Sequence, residues 1–358
     1  MDAGVRVPVT VLTGYLGAGK TTLLNRILTG EHGRRYAVIV NEFGEIGIDN
    51  DLIVESDEEV YEMNNGCICC TVRGDLIGVL AGLMRRPGRF DAIVIETTGL
   101  ADPAPVAQTF FMDPEVRAAT QLDAVVTVVD ALHLPLRLAD SREAREQIAF
   151  ADVVLVNKTD LASAEQLAEV ESLVRAINPQ AELHRCQRSD IPLDRVLDRG
   201  AFDLSRALDL DPSFLEPGHE HGAHCSAACG HDHGHHDHDN AHDNAHAGHH
   251  RHQLDIGSIS LRAGELDFHR FFPWLQKLAE EKGPDILRMK GIVALAGESR
   301  RYVVQGIHMI VEGGFQRDWK PGEARGSKIV FIGRDLDRDV IAAGLADCAA
   351  RVPEVTAA

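Results

Sequence analysis

Residues 7–22 read VPVTVLTGYLGAGKTT. A β-branched apolar run (Val7, Val9, Val11, Leu12) leads into Gly14, Gly17, Gly19, Lys20 and Thr21, after which Leu23, Leu24, Ile27 and Leu28 recur at helical spacing. Strand, glycine-rich loop and helix in that order are the setting of a phosphate-binding P-loop. The glycines let backbone N–H groups turn inward around phosphates, and the helix N-terminus adds favourable partial charge. Lys20 is expected to reach the β- and γ-phosphates, and the Thr21 hydroxyl to ligate magnesium. The loop's candidate nucleotide-binding residues are therefore Gly14, Gly17, Ala18, Gly19, Lys20, Thr21 and Thr22.

Outward from this loop, apolar runs alternate with helical patterns as far as about residue 210. Strands are expected at Val7–Leu12, Tyr36–Val40, Ala92–Ile95, Ala124–Val129, Val153–Val156 and Ala181–His184, and helices at Thr71–Met84 and Ser163–Ala176. Ser163 reads as the N-cap of the last helix and Asn178-Pro179 as its stop. The strands are continuously apolar rather than alternating, as parallel strands buried on both faces are. The expected fold is α/β, a doubly wound and mostly parallel sheet spanning residues 1–210, with ligands at the carboxyl ends of its strands.

Composition then changes. Thirteen of the 18 histidines fall between His219 and His252, with Cys225 and Cys229 among them and almost no core-forming residues. Residues 211–253 read as a flexible, disordered linker, either a metal reservoir or only a spacer. Beyond it, strands at Ile256–Leu261, Ile286–Leu295, Tyr302–Ile310 and Lys328–Ile332 and helices at Asp267–Glu281 and Asp337–Leu345 suggest a small α+β domain over residues 254–358. Cys186, Cys348, Trp274, Phe271 and Phe272 read as packing residues, and His308 as a hydrogen-bonded sheet histidine rather than a ligand. A net charge of -19 argues against nucleic-acid binding. With no signal-peptide pattern and no apolar run of spanning length, the chain is expected to be cytoplasmic and off the membrane.

Four further stretches carry chemistry. Asn157-Lys158-Thr159-Asp160 follows the strand Val153–Val156. The Asp160 carboxylate can accept both guanine donors, a pair adenine lacks, while Asn157 bonds elsewhere on the base and the Lys158 stem covers its face. Glu96-Thr97-Thr98-Gly99 ends another strand. Glu96 would support magnesium through water, and the Gly99 N–H would meet the γ-phosphate. Glu42 lies in a stretch placed where a nucleotide-sensing switch belongs. Cys67, Cys69 and Cys70 crowd ahead of Thr71. Three sulfurs and a carboxylate would complete a tetrahedral zinc site, and thiolates equally suit copper(I) or iron–sulfur chemistry. A redox switch or three small buried hydrophobes are the other readings. No arginine stands out as a finger, so basal turnover is expected to be slow.

Taken in order, GYLGAGKTT (14–22), NEFGEIGID (41–49), NNGCICCTVRGDL (64–76), ETTGLADP (96–103) and NKTD (157–160) resemble the CobW-type family of P-loop GTPases. The resemblance extends over essentially the whole chain. It implies GTP hydrolysis coupled to loading a transition metal into a client metalloprotein: zinc first, with cobalt or another divalent metal as the alternative. It also implies a metal site at Cys67, Cys69 and Cys70, with Glu42 as an extra ligand. Lys20, Thr21, Glu96 and Gly99 would then serve hydrolysis. Subgroups of the family are associated with zinc homeostasis, cobalamin synthesis and nitrile hydratase activation, which these motifs do not separate. The competing reading is a histidine-rich metal store or sensor with regulatory nucleotide binding.

Overall fold

The computed structural model describes residues 6–30, 33–41, 59–63, 71–86, 89–202 and 256–350. The histidine-rich linker, Glu42, Cys67, Cys69 and Cys70 lie outside the described residues. The first sheet has seven strands, all parallel, in the order β3-β2-β4-β1-β5-β6-β7. These are β1 (Val7–Thr13), β2 (Tyr36–Asn41), β3 (Glu59–Met63), β4 (Ala92–Glu96), β5 (Thr120–Asp130), β6 (Val153–Asn157) and β7 (Glu182–Arg185). Every residue of β4 and β6 is buried, which is why those strands read as unbroken apolar runs. The connections carry α1 (Lys20–Thr29), α2 (Thr71–Met84), α3 (Ala104–Met112), α4 (Pro114–Ala119), α5 (Leu134–Asp140), α6 (Arg142–Phe150) and α7 (Ala164–Ile177). No helix among the described residues is long and apolar enough to cross a membrane.

The second sheet is antiparallel, in the order β11-β10-β9-β12-β8. Its strands are β8 (Ile256–Ala263), β9 (Ile286–Val293), β10 (Arg300–Ile307), β11 (Ile310–Asp318) and β12 (Ser327–Arg334), joined by α8 (Phe268–Lys282) and followed by α9 (Arg338–Asp347). Successive strand residues face opposite sides. On β12, Ile329 and Phe331 pack with Phe271, Leu275, Ile341 and Leu345 of α8 and α9, whereas Val330 and Ile332 join the core of the first sheet and its helices. The five-stranded sheet is therefore a middle layer, apolar on both faces.

Two strands escape the sequence reading. The expected strand Tyr302–Ile310 is a hairpin, turning at His308 (φ 52°) and returning as β11. Gly313 interrupts the apolar pattern of β11, and the Tyr302 ring lies where a side chain at that position would be. His308 is thus a turn residue rather than a strand residue. It is half-buried, near the Phe150 ring (5.6 Å between centroids), and partial burial holds its pKa below the ordinary histidine value. The other omission, β3, is the edge strand EVYEM, whose polar alternation gives no continuous apolar signal.

Candidate nucleotide and metal site

β1 lies between β4 and β5, so the loop after Thr13 opens at the middle of the sheet's carboxyl edge. The loop turns on itself through Ala18 N–H donating to Tyr15 O (3.2 Å), and α1 begins with Leu23 N–H donating to Gly19 O (3.1 Å). Gly19 has φ 114°, a conformation side-chain-bearing residues rarely adopt, and a Cβ there would run into the Asn157 side chain. No side chain caps α1, which leaves its first N–H groups for an anion. Lys20 is almost wholly buried at this helix start.

Pairing of β1 with β4 sets Leu12 opposite Glu96 and brings the next element to the loop. Thr21 Oγ1 donates to Glu96 Oε1 at 3.1 Å. A hydroxyl and a buried carboxylate converging beneath a phosphate loop form a hard oxygen donor set that fits magnesium. Thr98 Oγ1, two residues on, is buried without a hydrogen-bond partner among the described residues, so this end of the site holds a polar atom that a bound oxyanion or water would satisfy. Ala101 N–H donates to Thr98 O (3.1 Å), closing a turn around Gly99. Gly99 approaches so closely that an added Cβ would stand 2.6 Å from Leu16 N. Glycine is needed here for contact rather than for φ.

At the base end, Asn157 is held by several protein groups. Its Nδ2 donates to Ala18 O (2.8 Å) and Ser189 Oγ (3.2 Å), while its Oδ1 accepts from Ser189 N (2.9 Å) and lies 3.5 Å from Cys186 Sγ. A carboxamide has two donors and two lone pairs, and all four are taken. Asn157 thus ties the P-loop to the segment after β7. Lys158 is in the left-handed region (φ 61°) and donates to Asp130 Oδ2 at 2.8 Å. Asp160 follows in the next turn with its carboxylate exposed. Burial works against ionisation of Asp130, but hydrogen bonds from Lys158 and His133 prevail and hold its pKa below the ordinary value. A cleft of about 490 Å³ adjoins this wall of the loop, lined by Tyr15, Gly17, His133, Arg137 and Lys158 among others.

Sequence reasoning passed over Ser189, Asp130 and Gln147. Ser189 (φ 54°) also donates from Oγ to Gly19 O at 3.0 Å. Both Asp130 and the turn holding Ser189 sit at or just past the carboxyl end of a strand, so strand position alone would have flagged them. Gln147, inside α6, carries no local signal. Cys186 and Cys348 are buried as expected, and burial pushes the Cys186 thiol up to about 11. Among the described residues no group of three or more His, Cys, Asp or Glu side chains is placed to hold a metal.

The strands that precede Glu42 and the three cysteines in the chain, β2 and β3, are both described. Val40 pairs with both Glu96 and Glu62, and Asn41 with Met63. The chain thus leaves β2 and β3 level with Glu96, one and two strands away, or roughly 5 and 10 Å at the usual strand spacing.

A parallel sheet with a P-loop at its centre, an acid beneath the loop and an Asn-Lys-x-Asp turn beside it together define a P-loop GTPase. Residues 8–185 match the family described as CobW/HypB/UreG, nucleotide-binding domain, and residues 256–349 match the cobalamin synthesis protein cobW C-terminal domain. The chain belongs to the CobW family. It is 37% identical to the zinc chaperone CobW of Pseudomonas aeruginosa, over 96% of this chain and 91% of that protein. To the zinc-regulated GTPase metalloprotein activator 1 of Schizosaccharomyces pombe it is 34% identical, over 93% and 83%. The solved structure of Zn(II)-bound YjiA GTPase from E. coli matches with a TM-score of 0.72 at 28% identity, covering 97% of this chain and all of that one.

Proposed function

We propose that this GTPase is a metallochaperone that holds zinc at Cys67, Cys69 and Cys70, with Glu42 as a further ligand, and delivers it to a client metalloprotein as GTP is hydrolysed. The observation that carries the reading is the register of β2, β3 and β4, from whose level carboxyl ends the switch stretch, the cysteine stretch and the Glu96 segment all depart. The names of the relatives, zinc chaperone and metalloprotein activator, support the same cargo. In this reading the P-loop and Lys20 hold the phosphates, Asp160 selects guanine, and the Gly99 N–H meets the γ-phosphate. Thr21 and Glu96 would hold magnesium, which when bound neutralises charge developing on the β- and γ-phosphates. Metal ligands on segments that rearrange with the γ-phosphate would couple nucleotide state to metal affinity. Couplings of about 1–3 kcal/mol change affinity about 5–150-fold, whereas nearly complete switching needs about 5.5 kcal/mol. Client contact must therefore finish the release. Zinc affinity measured with a non-hydrolysable GTP analogue and with GDP should differ within that range, and Cys69→Ser should abolish the tighter state. Equal affinities in the two nucleotide states would remove the coupling.

A further inference from the structure

The segment that follows Glu96 is gripped by α6. Gln147 Nε2, fully buried, donates to the carbonyls of both Gly99 and Ala101 at 3.1 Å, and Thr127 Oγ1 donates to the Gln147 carbonyl at 2.8 Å. Glu146, the neighbouring residue on α6, is also buried. It accepts from Arg142 Nε at 2.7 Å and, across the two sheets, from Arg334 of β12. Arg334 is itself anchored within the second sheet's domain: its Nη1 donates to Pro284 O (3.1 Å) and its N–H to Asp285 O (2.8 Å). Asp102, directly after Ala101, is half-buried within electrostatic reach of Glu146, His308 and Arg334. Phe150, at the other end of α6, packs near the His308 ring. The second sheet holds α6, and α6 holds residues 99–102 against the P-loop.

We infer that Gln147 is a positioning residue for the γ-phosphate contact, and that Arg334 makes this positioning depend on the docked C-terminal sheet. The inference rests on Gly99 being that contact, as proposed above. The Thr98–Ala101 turn sets the direction of the Gly99 N–H, and two carbonyl hydrogen bonds from one buried amide keep the turn from rotating. Without Arg334, Glu146 keeps its bond from Arg142, and the middle of α6 loses its polar tie to the second sheet, leaving the contacts at Phe150 to hold the helix by its end. Residues 99–102 then rest on a looser helix. GTP, which needs the aligned N–H, suffers, and GDP, which lacks the γ-phosphate, does not.

The test uses the full chain and two probes, fluorescent GDP and a fluorescent non-hydrolysable GTP analogue, together with kcat and KM for GTP. Arg334→Gln should weaken the analogue about 5- to 20-fold, within the usual range of site couplings, and leave GDP within about twofold. Its kcat should fall as well, and Arg334→Lys should recover most of both losses. Gly99→Ala, whose Cβ would press on Leu16 N, should erase the preference for the analogue. If Arg334→Gln weakens both nucleotides equally, or neither, while Gly99→Ala erases the preference, the C-terminal grip is only structural and the inference fails alone. If Gly99→Ala keeps the full preference, the reading of Gly99 fails and the inference with it.

Discussion

Asn157 turns its whole side chain on the protein: two hydrogen bonds from its amide nitrogen, to the P-loop and to Ser189, and the oxygen on Ser189 N. It therefore holds the shape of the loop. Asn157→Ala leaves the Ala18 carbonyl and the Ser189 N–H buried without a partner, a loss of about 1–3 kcal/mol. The affinities for GTP and GDP should fall together, about 5- to 150-fold, because the bond lies at the root of the loop and not at the γ-phosphate. Titration with both fluorescent nucleotides checks this, and unchanged affinities would mean the loop holds its shape unaided. The sequence displays the residue in a recognisable turn but not its partners, which come from 139 and 32 positions away. Gln147 was invisible for the same reason, since what makes it matter lies 46 and 48 residues upstream. The P-loop could be read because all its parts are consecutive.

At the scale of elements, local signals succeeded where the chemistry is local. α7 begins with a reciprocal capping box, Ser163 Oγ accepting from Gln166 N while Gln166 Oε1 accepts from Ser163 N, and ends at Asn178 as the sequence suggests. The two ends differ in consequence. Ser163 caps one exposed helix start, so Ser163→Ala should cost about 1 kcal/mol. Asn178 is buried; its Nδ2 lies within hydrogen-bonding distance of the carbonyls of Ile148, Ala149 and Ala151, and its Oδ1 accepts from Gln180 N and Ala181 N. That one side chain closes α7 and fastens it to the end of α6. Asn178→Ala strands several buried groups at once and should cost at least about 2 kcal/mol, clearly more than the cap. Urea unfolding of both variants decides the order, and equal losses would show that the amide serves only as a helix stop. Strands were legible when buried on both faces, as β4 and β6 are. They were lost where the pattern is polar or broken by glycine, as in β3 and β11.

The whole molecule depends on a sheet with two apolar faces, and polar groups set how that sheet meets the first domain. Arg288 and Lys290 of β9 point the same way as Ile292, toward the first domain, where both bond to Asp152 Oδ1. Asp152 Oδ2 meanwhile accepts from Val125 N at 2.9 Å, and Arg288 also donates to Phe150 O and stacks 4.8 Å over the Phe202 ring. Full burial alone would raise the Asp152 pKa, but the two cations beside it prevail and hold it below the ordinary carboxylate value. A depressed folded-state pKa gives stability that is fully present above the unfolded value, near 4, and is lost as the pH falls through the folded value. Breaking one side of a buried pair typically costs about 3–5 kcal/mol. Asp152→Asn should therefore be less stable than the parent by about that amount at pH 7. The difference should persist down to about pH 5 and shrink as the pH falls below 4, because the parent then loses the same charge. Denaturant unfolding of both proteins across that range measures the difference directly, with the other carboxylates cancelling between them. A gap that stays constant into strong acid would show that the carboxylate is held by its neutral hydrogen bonds, and that the two sheets meet through packing alone.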